Sequence, residues 1–370
     1  MDQLASFRLA QEFQVGEDLY IFRLGCNCDG SALAVATSEH ALCVLDPATL
    51  RPIRKLEGHT DVVEDLGFFQ SEPSCLASCS HDGSARVWDL RAAEAARCFA
   101  VSSNEVYSCS VGRSDSALAC AASEKVHLFD VGQGKRMRVY KDSHTDVVNH
   151  VRFHPVDSTQ LYSGAEDNLV VVLNTDETRE DDAMVGCIPN DECVRSFTFV
   201  GPDRNTLCCS STTEDVRIWG LGTEDFGSLR AQFLGLRNHP LLMRGGGGDD
   251  DEGSGGYVVE TFYDQPSGEV FLLAGAGQAG DLVLFRVTMG EALPAAVFAP
   301  PAPGSGLRGH EGIVRSALCL PGGRVLTAGE DGRICAWQEG GAASEQSRFG
   351  LEPTVYRAQR GGTAARASPY

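Results

Sequence analysis

Positive charge is scarce in this chain. Lysine and arginine number 31 against 51 aspartates and glutamates, a formal net charge of −20 over 370 residues. So acidic a surface repels phosphate backbones and anionic headgroups. Nucleic acid and membrane are therefore not expected as partners, and basic protein segments are favoured. Long apolar runs are also missing: no stretch approaches the roughly 18 residues of a membrane-crossing helix. The opening MDQLASFRLAQEF has neither a basic start nor an apolar core, so no signal peptide is expected there.

Paired C-x-x-C elements are lacking as well. The 14 cysteines sit singly within apolar runs such as ALCVLD, LACAAS and TLCCSS, and Cys26-Asn27-Cys28 is too short to make a site. Cysteine in such a run acts as a small hydrophobe. This points to a reduced, intracellular protein of the cytoplasm or nucleus. His144, His150 and His154 cluster at a spacing that matches no zinc pattern. GAGQAG (275–280) echoes a phosphate loop, but the following DLVLFRV reads as strand where a nucleotide site needs a helix, so it is a hairpin turn. No metal and no cofactor are expected.

What the chain does have is a repeat. GHTDVVEDLGFF (58–69), SHTDVVNHVRFH (143–154) and GHEGIVRSALCL (309–320) align. Each is followed by a turn (SHDGS, AEDNL, GEDGR) and then by ARVWDL, VVVLNT or RICAWQ. The pairs His59/His310, Asp82/Asp331 and Trp88/Trp337 are each about 250 residues apart, six periods of about 42. Degenerate copies fill the gaps at 32–46, 105–130, 192–220 and 257–287, which makes seven. Within each copy, short runs of Val, Leu, Phe and Cys alternate with turn residues, as in antiparallel strands. An outer strand follows each of the first six copies (RPIRKLE, ARCFAV, KRMRVYK, AMVGCIP, LRAQFLGL, AAVFAP). The seventh copy has none, and LASFRLAQEF (4–13) is free to supply it, since an open sheet edge there would invite aggregation.

These elements resemble the WD-repeat β-propeller family over residues 4 to about 338, although only the second copy ends in a true Trp-Asp. The resemblance implies an all-β, seven-bladed propeller of residues 1–338 closed by the N-terminal strand. A Gly-rich acidic insert (244–256) reads as a disordered loop and 294–306 as a Pro-rich linker. Residues 339–370 read as a disordered tail in which RFGLEPTVYR is apolar enough to dock.

The same resemblance implies one buried hydrogen-bond network per well-formed blade. It would join His59, Asp82 and Trp88 through Ser78 or Ser80, and be repeated by His310, Thr327, Asp331 and Trp337. A hydrolytic triad is the alternative reading of that Ser/His/Asp composition. Duplication in two blades, each without an open pocket, favours the structural one. No catalytic residue is assigned, and the chain is not expected to be an enzyme.

Function is then sought on the surface of a stiff disc, a monomeric propeller within a complex. The residues just before the turn aspartates, His81, Glu166, Glu214 and Glu330, are expected near the channel mouth, with Glu105 and Asp191 in the entering loops. Three of those four are acidic, which favours a scaffold that captures Arg/Lys-rich segments. Alternatively, ASCSHDGSARVWDLR (77–91) resembles the box by which some WD-repeat proteins dock onto the adaptor of cullin-4 ubiquitin ligases. Asp82, Asp89 and Arg91 match its charged positions.

Overall fold

A computed structural model describes residues 4–92, 94–243, 255–264, 266–277, 280–288, 291–340, 349 and 351. Apart from a one-turn helix at Glu180–Ala183 and a 3-10 turn at Leu236–Asn238, its regular elements are strands. Five antiparallel sheets of four strands span 21–57, 63–100, 108–140, 148–189 and 194–233. A sixth sheet of eight strands joins the four strands of 256–299 to the three of 314–340 through Ala5–Gln14. Counting that sheet as two blades, each four-stranded blade touches the next through its innermost strand, and the last touches the first.

The reason for this closure lies in how the strands distribute their side chains. Alternate residues of a strand face opposite sides. In Leu33–Thr37, Leu33 and Val35 enter the cluster shared with 314–340, while Ala34 and Ala36 enter the one shared with 63–100. All five residues are buried, so the run reads as continuously apolar and not alternating. Seven apolar clusters result, one in each seam between consecutive blades.

The N-terminal strand completes the last blade. It pairs antiparallel with Arg333–Gly340, from Ser6↔Gly340 to Gln14↔Arg333. It also pairs in parallel with the outer strand of the preceding blade, Ala5–Arg8 against Ala296–Ala299. That second pairing was not foreseen, and it corrects the linker boundary: Pro294 to Ala299 lie in strand Ala292–Ala299, and only 300–306 connect. Pro294, which has no N–H to donate, sits at a register shift beyond the parallel stretch.

Two other expected boundaries move. Of the acidic insert 244–256, residues 244–254 lie outside the described residues, and Gly256 already opens strand Gly256–Asp264. Of the tail 339–370, Glu339 and Gly340 finish a strand, while Phe349 and Leu351 pack into the seam between the last two blades. The rest of the tail lies outside the described residues.

Candidate functional site

Among the described residues, six of the seven inner strands carry a bulge near their start. The extra residues are Phe22, Glu64, Asn149, Arg195, Val259 and Arg315. A bulge re-aims the side chain of its extra residue. Three of the six are charged, and each meets a residue of an adjoining turn: Glu64 meets His81 at 3.5 Å, Arg195 meets Glu214 at 3.2 Å, and Arg315 meets Glu330.

Those pairs are built alike. His59 Nδ1 lies 2.9 Å from Asp82 Oδ2 and its Nε2 lies 2.9 Å from Ser78 Oγ, which accepts the Trp88 indole N–H at 2.8 Å. Ser78, not Ser80, is the partner; Ser80 Oγ donates instead to the Asp61 carbonyl at 3.0 Å. In the last blade, His310 Nδ1 is 3.0 Å from Asp331, Nε2 is 2.8 Å from Thr327 Oγ1, and Trp337 Nε1 donates to Thr327 at 2.8 Å. A third copy was only partly read from the sequence. His144 joins Asp167 at 3.0 Å and Ser163 at 2.8 Å, with Leu173 where the other blades have Trp.

The connectivity hydroxyl–imidazole–carboxylate is that of a hydrolytic triad, but the chemistry is closed off. Ser78 is wholly buried, and the lone pair a nucleophile would use is taken by the indole N–H. Burial pushes the His59 pKa down despite Asp82 beside it. Burial opposes ionisation of Asp82, yet hydrogen bonds from Ser84 and His59 hold it at about 2. The pair is therefore a neutral imidazole donating to a carboxylate, with Thr60 N–H adding a bond at 3.1 Å. Among the described residues, no group of three or more His, Cys, Asp or Glu could hold a metal.

The six rim residues do not share one environment. Glu166 and Asp191 are exposed. Glu105 accepts the Tyr107 hydroxyl at 2.7 Å, and His81 packs edge-on against Tyr107 at 5.8 Å. Glu330 is bound by Arg315, whose Nε lies 2.8 Å away. Glu214 is a correction. The register places Thr212, not Glu214, at the position that His81, Glu166 and Glu330 hold in their blades. Glu214 instead takes the left-handed turn position with φ 67°, where other blades have Gly83, Asn168 and Gly332. Its carboxylate turns into the next seam, 3.2 Å from Arg195 and accepting the Val258 N–H at 2.7 Å.

A larger acidic feature was missed. A cleft of about 730 Å³ between the N-terminal strand and the last blade is lined by Glu12, Glu17, Asp18, Glu311, Glu330 and Asp331 against only Arg308 and Arg333. Glu12 accepts two backbone N–H groups, from Arg308 and Gly309, and Glu311 pairs with Arg333 at 2.9 Å. Glu17 and Asp18 are exposed. These carboxylates come from opposite ends of the chain, so no local motif announces them.

The adaptor-docking residues are not brought together. Arg91 forks onto Asp89 through bonds of 2.9 Å and stays 71% exposed. Asp82 lies at the other end of strand Ser84–Asp89, about 20 Å away at strand rise, and its oxygens are taken by His59, Thr60 and Ser84.

Three segments, 50–89, 134–174 and 303–338, match the family model "WD domain, G-beta repeat". WD repeat-containing protein GTS1 of Arabidopsis thaliana is 29% identical over 370 residues, covering 95% of this chain and 89% of that protein. WD repeat-containing protein 89 homolog of Dictyostelium discoideum is 24% identical over 261 residues, 70% of this chain and 69% of its own length. A shorter match, 29% identical over 106 residues, covers 28% of this chain and 19% of the DDB1- and CUL4-associated factor 11 homolog of Caenorhabditis briggsae.

Proposed function

Because the chain is a WD-repeat protein, we propose that it works as a non-catalytic interaction scaffold whose acidic end takes up Arg/Lys-rich segments of other proteins. The observation that carries this reading is the cleft, where Glu311 and Glu330 are paired with Arg333 and Arg315 but Glu17 and Asp18 remain open to solvent. Glu166 extends the same sign of charge around the rim, while Arg217, Arg195 and Arg315 pair with Asp191, Glu214 and Glu330. The centre of attraction is thus displaced from the channel mouth toward the closing seam. The overall charge of −20 steers cationic segments in and phosphate backbones away. An intracellular setting, cytoplasmic or nuclear, belongs to this reading and is supported by the cysteines, all of which are free thiols.

The test is capture of a labelled Arg/Lys-rich peptide by the wild type and by Glu17→Lys/Glu166→Lys at rising salt. Binding should weaken steadily with ionic strength, since exposed pairs are screened over about 8–10 Å, and should fall at least tenfold in the variant. Capture that ignores both salt and charge reversal overturns the reading.

Docking onto a cullin-4 ligase adaptor is the second reading. It is supported by the exposed Arg91, held in place by Asp89, and by the short similarity to the Caenorhabditis protein named above. Arg91→Ala should abolish co-purification of the adaptor if this docking operates; unchanged co-purification removes Arg91 from it.

A further inference from the structure

Both ends of the described chain converge on the seam between the last two blades. Phe7 of the N-terminal strand stacks on Phe298 with ring centres 4.7 Å apart. Phe349 lies against Phe7 at 5.9 Å and against the edge of Phe271 at 5.3 Å. Leu351 is buried in the same cluster. Its backbone forms an antiparallel bridge with Asp264, and its carbonyl accepts the Cys319 thiol at 3.6 Å. Asp264 and Cys319 lie at the far ends of inner strands Gly256–Asp264 and Val314–Leu320, away from the His–Asp turns and the acidic cleft.

Two observations set this seam apart. The other six are filled by their own blades and the connections between them. This one is finished by a Phe and a Leu two residues apart, which eight residues of sequence (341–348) separate from the last strand. The Leu351–Asp264 backbone bridge, with apolar pockets for Phe349 and Leu351 beside it, has the character of strand addition. Furthermore, Asp264 is almost wholly buried, and its Oδ1 has no hydrogen-bond partner among the described residues, although Oδ2 accepts the Ser267 N–H at 2.9 Å. A buried acceptor without a donor is unfavourable, and an incoming segment with a donor beside its Leu would relieve it.

We propose that this slot is a docking site for extended Phe-x-Leu segments of partner proteins, with Phe349 and Leu351 as its resident occupant. A segment that follows the last strand by eight residues of sequence competes intramolecularly, at an effective concentration in the millimolar range. The resident pair thus screens out weak competitors and yields to a partner that adds a donor to Asp264. The slot lies at the opposite end of the disc from the acidic cleft, so the two surfaces can be occupied together.

The experiment measures binding of a fluorescent peptide, SRFGLEPT, by anisotropy to the full chain and to its Phe349→Ala/Leu351→Ala variant. Emptying the slot should tighten capture about tenfold or more, because the resident competitor is gone. A second variant leaves the slot untouched and lengthens the tether by about 20 Gly/Ser residues between Gly340 and Phe349, which should raise capture several-fold as effective concentration falls with the −3/2 power of length. A peptide with Ala in place of its Phe should bind none of the three chains. Equal binding of SRFGLEPT to all three chains, or no binding to any at about 1 mM, well above the affinity a two-anchor peptide needs, overturns the proposal.

Discussion

Arg152 of the fourth blade grips Asp65 of the second with both nitrogens, at 2.8 and 3.1 Å, across the third blade's Ser108. Ser108 donates to the same carboxylate at 2.8 Å, and Arg23 of the first blade approaches it at 3.6 Å. Four blades are thus tied through one buried carboxylate inside the channel. Burial opposes its ionisation, but Arg152 and then Arg23 hold it well below the usual range. Beyond this crossing the channel opens into a cavity of about 210 Å³ lined in part by Arg23, Arg152, Thr198 and Glu260. Removing Arg152 leaves the buried carboxylate with only the more distant Arg23 as a cationic partner. Arg152→Met should therefore cost about 3 kcal/mol, and Asp65→Leu/Arg152→Met should recover most of it. Denaturant titration of the two variants checks this; a double variant as unstable as the single one refutes it.

The His–Asp network carries the second expectation. Asp82→Ala removes the acceptor of His59 Nδ1, the Thr60 N–H and Ser84, and His59 is buried. A loss of about 2–3 kcal/mol should follow, seen as a lower melting temperature. His59→Ala/Asp82→Ala should cost less than the sum of the single changes, because both break one network. Additive losses, or an unchanged melting temperature in Asp82→Ala, would detach the pair from stability.

What could be read in the sequence was what recurs. His59, Asp82, Trp88 and their counterparts near residue 310 stood out because one geometry demands them at one spacing. In the fifth blade Asn190 occupies the position of His59 and accepts the Trp219 indole N–H at 3.1 Å. The acid in its turn, TTED, lies two places later than in the repeats, so counting from Asp215 put Glu214 on the rim. Only strand register, with Val194 opposite Ser211, reveals the slip. Arg152–Asp65 was invisible because it joins residues 87 positions apart that belong to no repeat pattern. The cleft was hidden because its carboxylates come from distant parts of the chain, whereas RFGLEPTVYR was legible as a segment able to dock and only the seam that takes Phe349 and Leu351 was not.

Acid should loosen the structure before it touches the carboxylates. Burial lowers the pKa of His59, His144 and His154, that of His150 further still, and that of His127 to about 4. A group whose folded pKa lies below its unfolded value binds fewer protons in the native state, so its stabilisation is complete above the unfolded pKa and is lost as pH falls. For histidine the loss begins near pH 6.5. The melting temperature should be flat from pH 8 to about 7 and drop between about 6.5 and 5. His127, whose Nδ1 has no hydrogen-bond partner among the described residues, is the probe. His127→Phe should remove about 1–2 kcal/mol of that dependence at pH 5. A variant with the slope of the wild type refutes this.

The N-terminal strand sets the last expectation. Deleting residues 1–14 leaves two sheet edges bare, Ala292–Ala299 on one side and Arg333–Gly340 on the other, and unseats Phe7 from Phe298. Exposed, flat, apolar edges pair with whatever strand arrives. The shortened chain should therefore self-associate on size exclusion and melt earlier than the full chain. Phe7→Ala keeps the backbone pairing and loses only the ring, so it should stay monomeric while losing about 3 kcal/mol. Adding a peptide of residues 4–14 should return the shortened chain toward the monomer, because the slot it fills is already shaped by two neighbours. A shortened chain that stays monomeric with the melting temperature of the full one would mean that the ring holds without its clasp.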